Sequence, residues 1–396
     1  VKDRRLTAAL ACAAALMAVA GCSAQGVKDA VNGEETPKAP VTLSPNVQQK
    51  ATDVKVSTRV KVSAENGEVS SARLSTADGK TEIKGRTGRN GWIASERLEP
   101  GTTYQLKATG AGADGTYKTV RRTFTTQQLS LAQQTYPAVA PLQGETVGVG
   151  MPVIVTFDVP VKNRSLFEKH MKVTTSKDVQ GSWSWLSDRE AHYRPKTYWP
   201  AHTTVKVDLG LNSLPAGNGV YGQQDQKVEF TVGKKVVSVV NVAKHRLSYT
   251  VDGQVVRKIP VTTGDEGHRT REGVKVIMEK FSSVDMDAAT TGVDSEDPGY
   301  YNISDVRWAM RVTNSGEFLH AAPWSVGAQG NANVSHGCTG MSTSDAKWLY
   351  DRSRRGDVMK YVNSPRQLEP NNGWTDWNVP WDQWTKGSAL PQPPAA

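Results

Sequence analysis

The chain has 396 residues, carries 48 Lys and Arg against 39 Asp and Glu, and is 37% hydrophobic. That length accommodates two or three domains at about 100 to 200 residues each, so burying a core is no obstacle. The basic excess suits an anionic setting such as a membrane surface or a cell-wall polymer, whereas no dense Lys/Arg cluster with interleaved aromatics occurs, which argues against nucleic acid as a partner.

Lys2, Arg4 and Arg5 precede an apolar run over residues 6–20, too short for an ordinary membrane span and of the form of a secretory signal. The run ends in Val19-Ala20-Gly21-Cys22, which resembles the lipobox of bacterial lipoproteins. The expectation is a signal peptide over 1–21, a lipid on the sulfur of Cys22, and an exported protein anchored to the outer face of the cytoplasmic membrane. Cys12 then leaves with the signal and Cys22 is consumed, so Cys338 is the one thiol of three cysteines to survive, and no intramolecular disulfide can form. A leftover thiol in an oxidising compartment is a liability and needs a reason: catalysis, or burial as an inert core residue.

Residues 22–46 are polar, rich in Ala, Lys, Pro and Gly, and without apolar periodicity, as in a flexible linker. Over 47–127, alternating segments such as Val54-Lys55-Val56-Ser57 and Tyr104-Gln105-Leu106-Lys107-Ala108 are separated by turn clusters including Ala77-Asp78-Gly79, the pattern of a small immunoglobulin-like β-sandwich. A second such unit is expected over 128–233, with strands at Val153-Ile154-Val155-Thr156-Phe157 and Val228-Glu229-Phe230-Thr231-Val232. Its Trp183, Trp185 and Trp199 read as core residues rather than sugar-binding ones. From 236 to 363 the alternation restarts, and Asp252-Gly253 between two such runs signals a hairpin. A helix is expected near 342–355, so this third unit is mostly β with one or two helices. The segment 364–396 holds Trp374, Trp377, Trp381 and Trp384, too much apolar surface to leave in water, and is expected to pack on the third unit. Pro380 argues against one unbroken helix there. The fold class is therefore mainly β.

The richest chemistry lies in Ser335-His336-Gly337-Cys338, with His320 eighteen residues before the cysteine and a Gly-, Asn- and Pro-rich loop between them. Acyl transfer needs a thiolate, a base to generate it and donors for the developing oxyanion. His320 ends the strand-like Glu317-Phe318-Leu319 and can project toward Cys338, which makes it the better base. With no Asp or Glu in the loop between His320 and Cys338, a backbone carbonyl such as that of Ser335 must fix the imidazole tautomer, and Gly337 permits a turn that aims the Gly337 and Cys338 N–H groups at an oxyanion. A zinc site from His320, His336 and Cys338 is the competing reading, weakened by the tight His-x-Cys bite and the lack of a fourth ligand.

The run from Phe318-Leu319-His320-Ala321-Ala322-Pro323-Trp324-Ser325-Val326-Gly327 to Ser335-His336-Gly337-Cys338, together with Asp376-Trp377-Asn378-Val379-Pro380-Trp381-Asp382-Gln383-Trp384, resembles the L,D-transpeptidases with a YkuD-type catalytic domain, in their actinobacterial, mycobacterial-type lipoprotein form. The resemblance spans nearly the whole mature chain and implies two N-terminal immunoglobulin-like domains. It implies Cys338 as nucleophile, His320 as general base, the Ser335 carbonyl as its orienting acceptor, and His336 with Gly337 in the oxyanion and substrate wall. Met286 and either Tyr300 or Tyr301 map to a lid, and Trp324, Ser325 and Gly340 to the substrate site. Where the family usually has Asn two residues after the nucleophile, this chain has Gly340, and an amide contact is lost.

The resemblance further implies a monomer without metal or cofactor that joins peptidoglycan tetrapeptide stems, as donor and acceptor, into 3→3 cross-links with release of D-Ala, and that carbapenem-type β-lactams acylate. The alternatives are an L,D-carboxypeptidase or wall-attachment transferase of the same fold, and a non-catalytic wall-binding lipoprotein.

Overall fold

The computed structural model describes residues 39–88, 91–291, 294–296 and 300–391. The expected signal, the lipidation site Cys22 and most of the linker lie outside the described residues.

Alternation of apolar and polar residues builds the first unit as two facing four-stranded antiparallel sheets. One runs Thr42–Pro45, Lys61–Glu65, Gly91–Ala94, Gly85–Gly88; the other Glu82–Ile83, Gly67–Thr76, Thr103–Gly112, Tyr117–Thr125. Tyr104, Leu106 and Ala108 point inward to meet Leu74, Trp92 and Phe124. Two expectations need correction. Thr42–Pro45 falls inside the stretch read as linker, because Val41 and Leu43 are buried against this core and draw the chain into the sheet. Val54-Lys55-Val56-Ser57 alternates but forms no strand: the chain turns there, with Thr58 N–H bonded to Lys55 O, and Val54 makes only an isolated bridge to Thr126.

The second unit pairs a sheet of Pro137–Ala140, Val153–Phe157, Glu190–Pro195 and Gly181–Trp185 with one of Thr146–Val147, Gln226–Val232, Thr204–Leu209 and Met171–Thr175. Trp183, Trp185 and Trp199 are buried in the core between them with Phe157 and Phe230. Packing, not sugar binding, accounts for all three.

In the third unit a five-stranded sheet, ordered Gln254–Pro260, Arg246–Val251, Val237–Asn241, Val358–Val362, Gly273–Val276, faces a four-stranded sheet, ordered Glu279–Asp287, Asn302–Arg311, Phe318–Ala321, Thr339–Met341. Asp252 and Gly253 close the first hairpin with φ of 50° and 84°, the doubly positive geometry of a two-residue type I′ turn. The helix Thr343–Arg352 starts where the Ser342 side chain accepts from Asp345 N–H, and it drives Ala346 and Leu349 into a core shared with Met310, Leu319 and Met341.

The Trp-rich segment reaches beyond its expected seat. Asn378 does bond the third unit, through Val274 N–H and O. Trp374 stays beside the third unit, 5.5 Å from the Arg355 guanidinium, but later indoles go to the second: Trp384 Nε1 donates to Ser182 O at 3.0 Å and Trp377 Nε1 to Gly150 O at 2.7 Å. Arg194 explains the attraction, since its guanidinium lies 5.0, 5.4 and 4.6 Å from the rings of Trp377, Trp381 and Trp384 and donates to Val379 O. The segment thus straps the third unit to the second. Arg355 adds a fork across the same junction, bonding both Glu145 carboxylate oxygens.

Candidate active site

Strand pairing brings the histidine to the cysteine. Phe318–Ala321 and Thr339–Met341 run parallel, with His320 opposite Gly340. Alternate residues of a strand share a face, so the residue two before Gly340, Cys338, lies on the side that His320 faces. Both line one cavity of about 510 Å³, together with Thr262, Met286, Tyr301, Trp324 and Gly340.

His320 is buried, and its Nδ1 lies 2.8 Å from Ala321 O. A carbonyl only accepts, so Nδ1 carries the proton and Nε2 is left as the acceptor. Burial lowers the imidazole pKa against the opposing pull of that hydrogen bond, and the ring is a neutral base at neutral pH. Trp324, 57% exposed at the mouth, stacks on it with ring centroids 5.9 Å apart.

Ala321, rather than Ser335, therefore supplies the orienting carbonyl. Ser335 is occupied elsewhere: its carbonyl accepts from Asp265 N–H at 2.8 Å, while its hydroxyl donates to Cys338 O at 2.6 Å and accepts from Gly337 N–H at 3.2 Å. It braces the cysteine loop instead of the base. The same bond takes up the Gly337 N–H expected at an oxyanion, leaving Gly337 a structural role. Its φ of 121° is open to glycine, and its carbonyl is held by Thr270 Oγ1 at 2.7 Å.

Cys338 is the one free cysteine among the described residues, and it is buried. Its Sγ donates to Gly316 O at 3.5 Å. Burial pushes the thiol pKa up to about 12, despite the Phe318 N–H at the sulfur, with Glu317 adding to the rise and Lys275 opposing it. The resting site holds a neutral thiol and a neutral imidazole, so proton transfer must accompany attack.

His336 projects to the rim, its ring between Tyr301 at 5.2 Å and His268 at 4.4 Å, and His268 Nδ1 meets Asp265 Oδ1 at 3.0 Å. Met286 and Tyr301 pack around Cys338 with Val306, Ala309 and Phe318. Of the two candidate lid tyrosines Tyr301 lines the cavity and Tyr300 does not. Ser325 lines it and donates to Ala322 O at 3.3 Å. Gly340 lies on the floor, where an added Cβ would stand 2.9 Å from Ala322 Cβ and 3.1 Å from Thr262 Cγ2. Sequence reasoning missed the Ala321 carbonyl, since any residue offers one, and Thr262, whose N–H and O both bond Gly340 from a distant segment.

A buried thiol beside a neutral imidazole of fixed tautomer, in an apolar cavity on a two-sheet unit, defines a cysteine acyltransferase site. A bacterial Ig domain model matches residues 51–215 and an L,D-transpeptidase catalytic domain model residues 235–362. The chain is 36% identical to L,D-transpeptidase 2 of Mycobacterium tuberculosis (strain CDC 1551 / Oshkosh) over 350 residues, covering 88% of this chain and 85% of that one. It is also 36% identical to L,D-transpeptidase 5 of Mycobacterium tuberculosis (strain ATCC 25618 / H37Rv) over 374 residues, covering 92% and 80%. A solved LD transpeptidase in complex with imipenem superposes with a TM-score of 0.51 at 33% identity, over 57% of this chain and 97% of that one. The chain belongs to the L,D-transpeptidase family.

Proposed function

We propose that Cys338 attacks the carbonyl of the L-centre of the third residue in a peptidoglycan tetrapeptide stem. His320 Nε2 takes the thiol proton as the C–S bond forms and returns it to the departing amine, so that D-Ala leaves and a thioester remains. The side-chain amine of a diamino acid on a neighbouring stem then attacks the thioester, loses its proton to His320, and restores the thiol with formation of a 3→3 cross-link. The Cys338 N–H is the loop's donor for the tetrahedral oxyanion, since that of Gly337 is engaged. The observation that carries this reading is the His320–Ala321 hydrogen bond, which leaves Nε2 unprotonated in the cavity that holds the thiol.

Incubating the intact protein and Cys338→Ala with disaccharide-tetrapeptides, and reading products by mass, tests it. Dimer and free D-Ala are expected from the native enzyme alone; their absence overturns the assignment. Release of D-Ala without dimer identifies a carboxypeptidase using water as acceptor. The imipenem complex of the similar structure supports β-lactam acylation of Cys338, visible as a mass adduct lost in Cys338→Ala. The charged N-terminus, apolar run and Cys22 support an exported, lipid-anchored enzyme, to be checked by fractionation of Cys22→Ser.

A further inference from the structure

Behind the thiol lies a buried ionic cluster that the acyl-transfer chemistry leaves unused. Lys275 and Glu317 are 1% and 4% exposed. One Glu317 carboxylate oxygen accepts from Lys275 Nζ; the other accepts from the Arg271 backbone N–H at 3.0 Å and its guanidinium at 3.1 Å. Lys275 Nζ also sits 3.8 Å from the Tyr361 ring centroid, and the Tyr361 hydroxyl meets Thr339 Oγ1, next to the nucleophile, at 2.8 Å. Desolvating two charges offsets much of their attraction, so such a pair is a poor source of stability by itself.

Its placement points to another use. The two backbone groups at the sulfur, Gly316 O and Phe318 N–H, belong to the residues on either side of Glu317. The Glu317 side chain enters the cluster and also abuts the cysteine loop: a Cβ built on Gly337 would stand 3.6 Å from Glu317 Cγ and Oε1. Anchoring the carboxylate therefore fixes both the segment that cups the sulfur and the loop that carries it.

We propose that Glu317, tied down by Lys275 and Arg271, is a positioning residue for Cys338: the cluster holds segment 316–318 against the sulfur and balances the field there, Glu317 opposing the thiolate and Lys275 favouring it. The inference rests on Cys338 as the nucleophile. The remaining titratable or charged groups facing the thiol are Arg311, Tyr301 and Tyr361, with His320 and His336 lining the same cavity.

Alkylation of Cys338 by iodoacetamide in the intact protein, at a fixed pH below the thiol pKa, reads that field without any peptidoglycan substrate, so the outcome is independent of whether transpeptidation is observed. A charge change shifting the thiol pKa by about one unit alters thiolate tenfold and nucleophilicity about threefold in the opposite sense, leaving a net change of about threefold in rate. Glu317→Gln is expected to react about threefold faster than the native protein and Lys275→Met about threefold slower. Should Lys275→Met not fold, the double variant Lys275→Met/Glu317→Gln, which buries no unpaired charge, replaces it and must react more slowly than Glu317→Gln. A cluster that only props the fold would loosen the site and accelerate every variant alike. That result, or unchanged rates, overturns the proposal.

Discussion

His192, on a strand of the second unit, and Asp376, in the C-terminal segment, form a 2.9 Å ion pair whose side chains are 2% and 3% exposed. Burial alone would lower the imidazole pKa, but Asp376 on one side and Glu190 on the other outweigh it and raise the value to about 9. The folded value lies above the unfolded 6.5, so the pair's contribution is complete below pH 6.5 and is lost as pH rises through 9. The thermal midpoint should fall across that window. Asp376→Asn should flatten the slope, leaving only the part that Glu190 sustains, and cost about 3 to 5 kcal/mol, as breaking one side of a buried pair does. A flat native profile between these limits would count against the assignment.

Trp384 is fully buried against the second unit and stacks on Arg194. Trp384→Ala should destabilise by about 3 to 5 kcal/mol in urea titration, the range for deleting a buried indole. Trp324→Ala, at an exposed ring on the cavity mouth, should leave stability within about 0.5 kcal/mol. Equal losses from the two would mean the strap does not hold the interface.

His320 must be neutral to accept the thiol proton, and burial lowers its pKa from 6.5. The acid limb of kcat/KM should therefore lie below pH 6.5. His320→Gln should slow acylation by about 10²- to 10⁴-fold, the usual worth of a general base, while leaving the fold intact by circular dichroism. Substituting Ser335 by Ala should leave the position of that limb unchanged, because Ser335 does not touch the imidazole.

Gly340→Asn tests whether the missing amide can simply be restored. The new Cβ would meet Ala322 and Thr262 at 2.9 and 3.1 Å, so overpacking should cost about 1 to 3 kcal/mol. KM should rise rather than fall. Pairing the change with Ala322→Gly removes the tightest contact and should recover most of the lost stability; failure to do so would place the strain elsewhere.

The parts of this molecule legible in sequence are those set by local chemistry. Period-two alternation marked strands such as Thr103–Gly112, Val153–Phe157 and Gln226–Val232, Asp252-Gly253 marked its turn, and Ser335-His336-Gly337-Cys338 with His320 marked the site. What escaped depends on long-range encounters. Nothing near Arg194 announces that three indoles nearly two hundred residues later will cover it, so the sequence points the tail to its chain neighbour alone. The carbonyl that orients His320 belongs to Ala321, and backbone acceptors leave no trace in residue identity. Lys275 and Glu317 look like ordinary strand residues until the two sheets close over them. Val54-Lys55-Val56-Ser57 shows the converse failure, where alternation found no partner strand and the chain turned instead.

The strap over Arg194 has a mechanical consequence. The third unit is gripped where the chain enters it, after Val232, and again where the chain returns to the second unit at Trp377 and Trp384. A body held at two points resists torque that a single linker would transmit as free rotation. The cavity mouth is therefore tied to the second sandwich by two attachments, and turning it would require breaking the seat of Trp377 and Trp384.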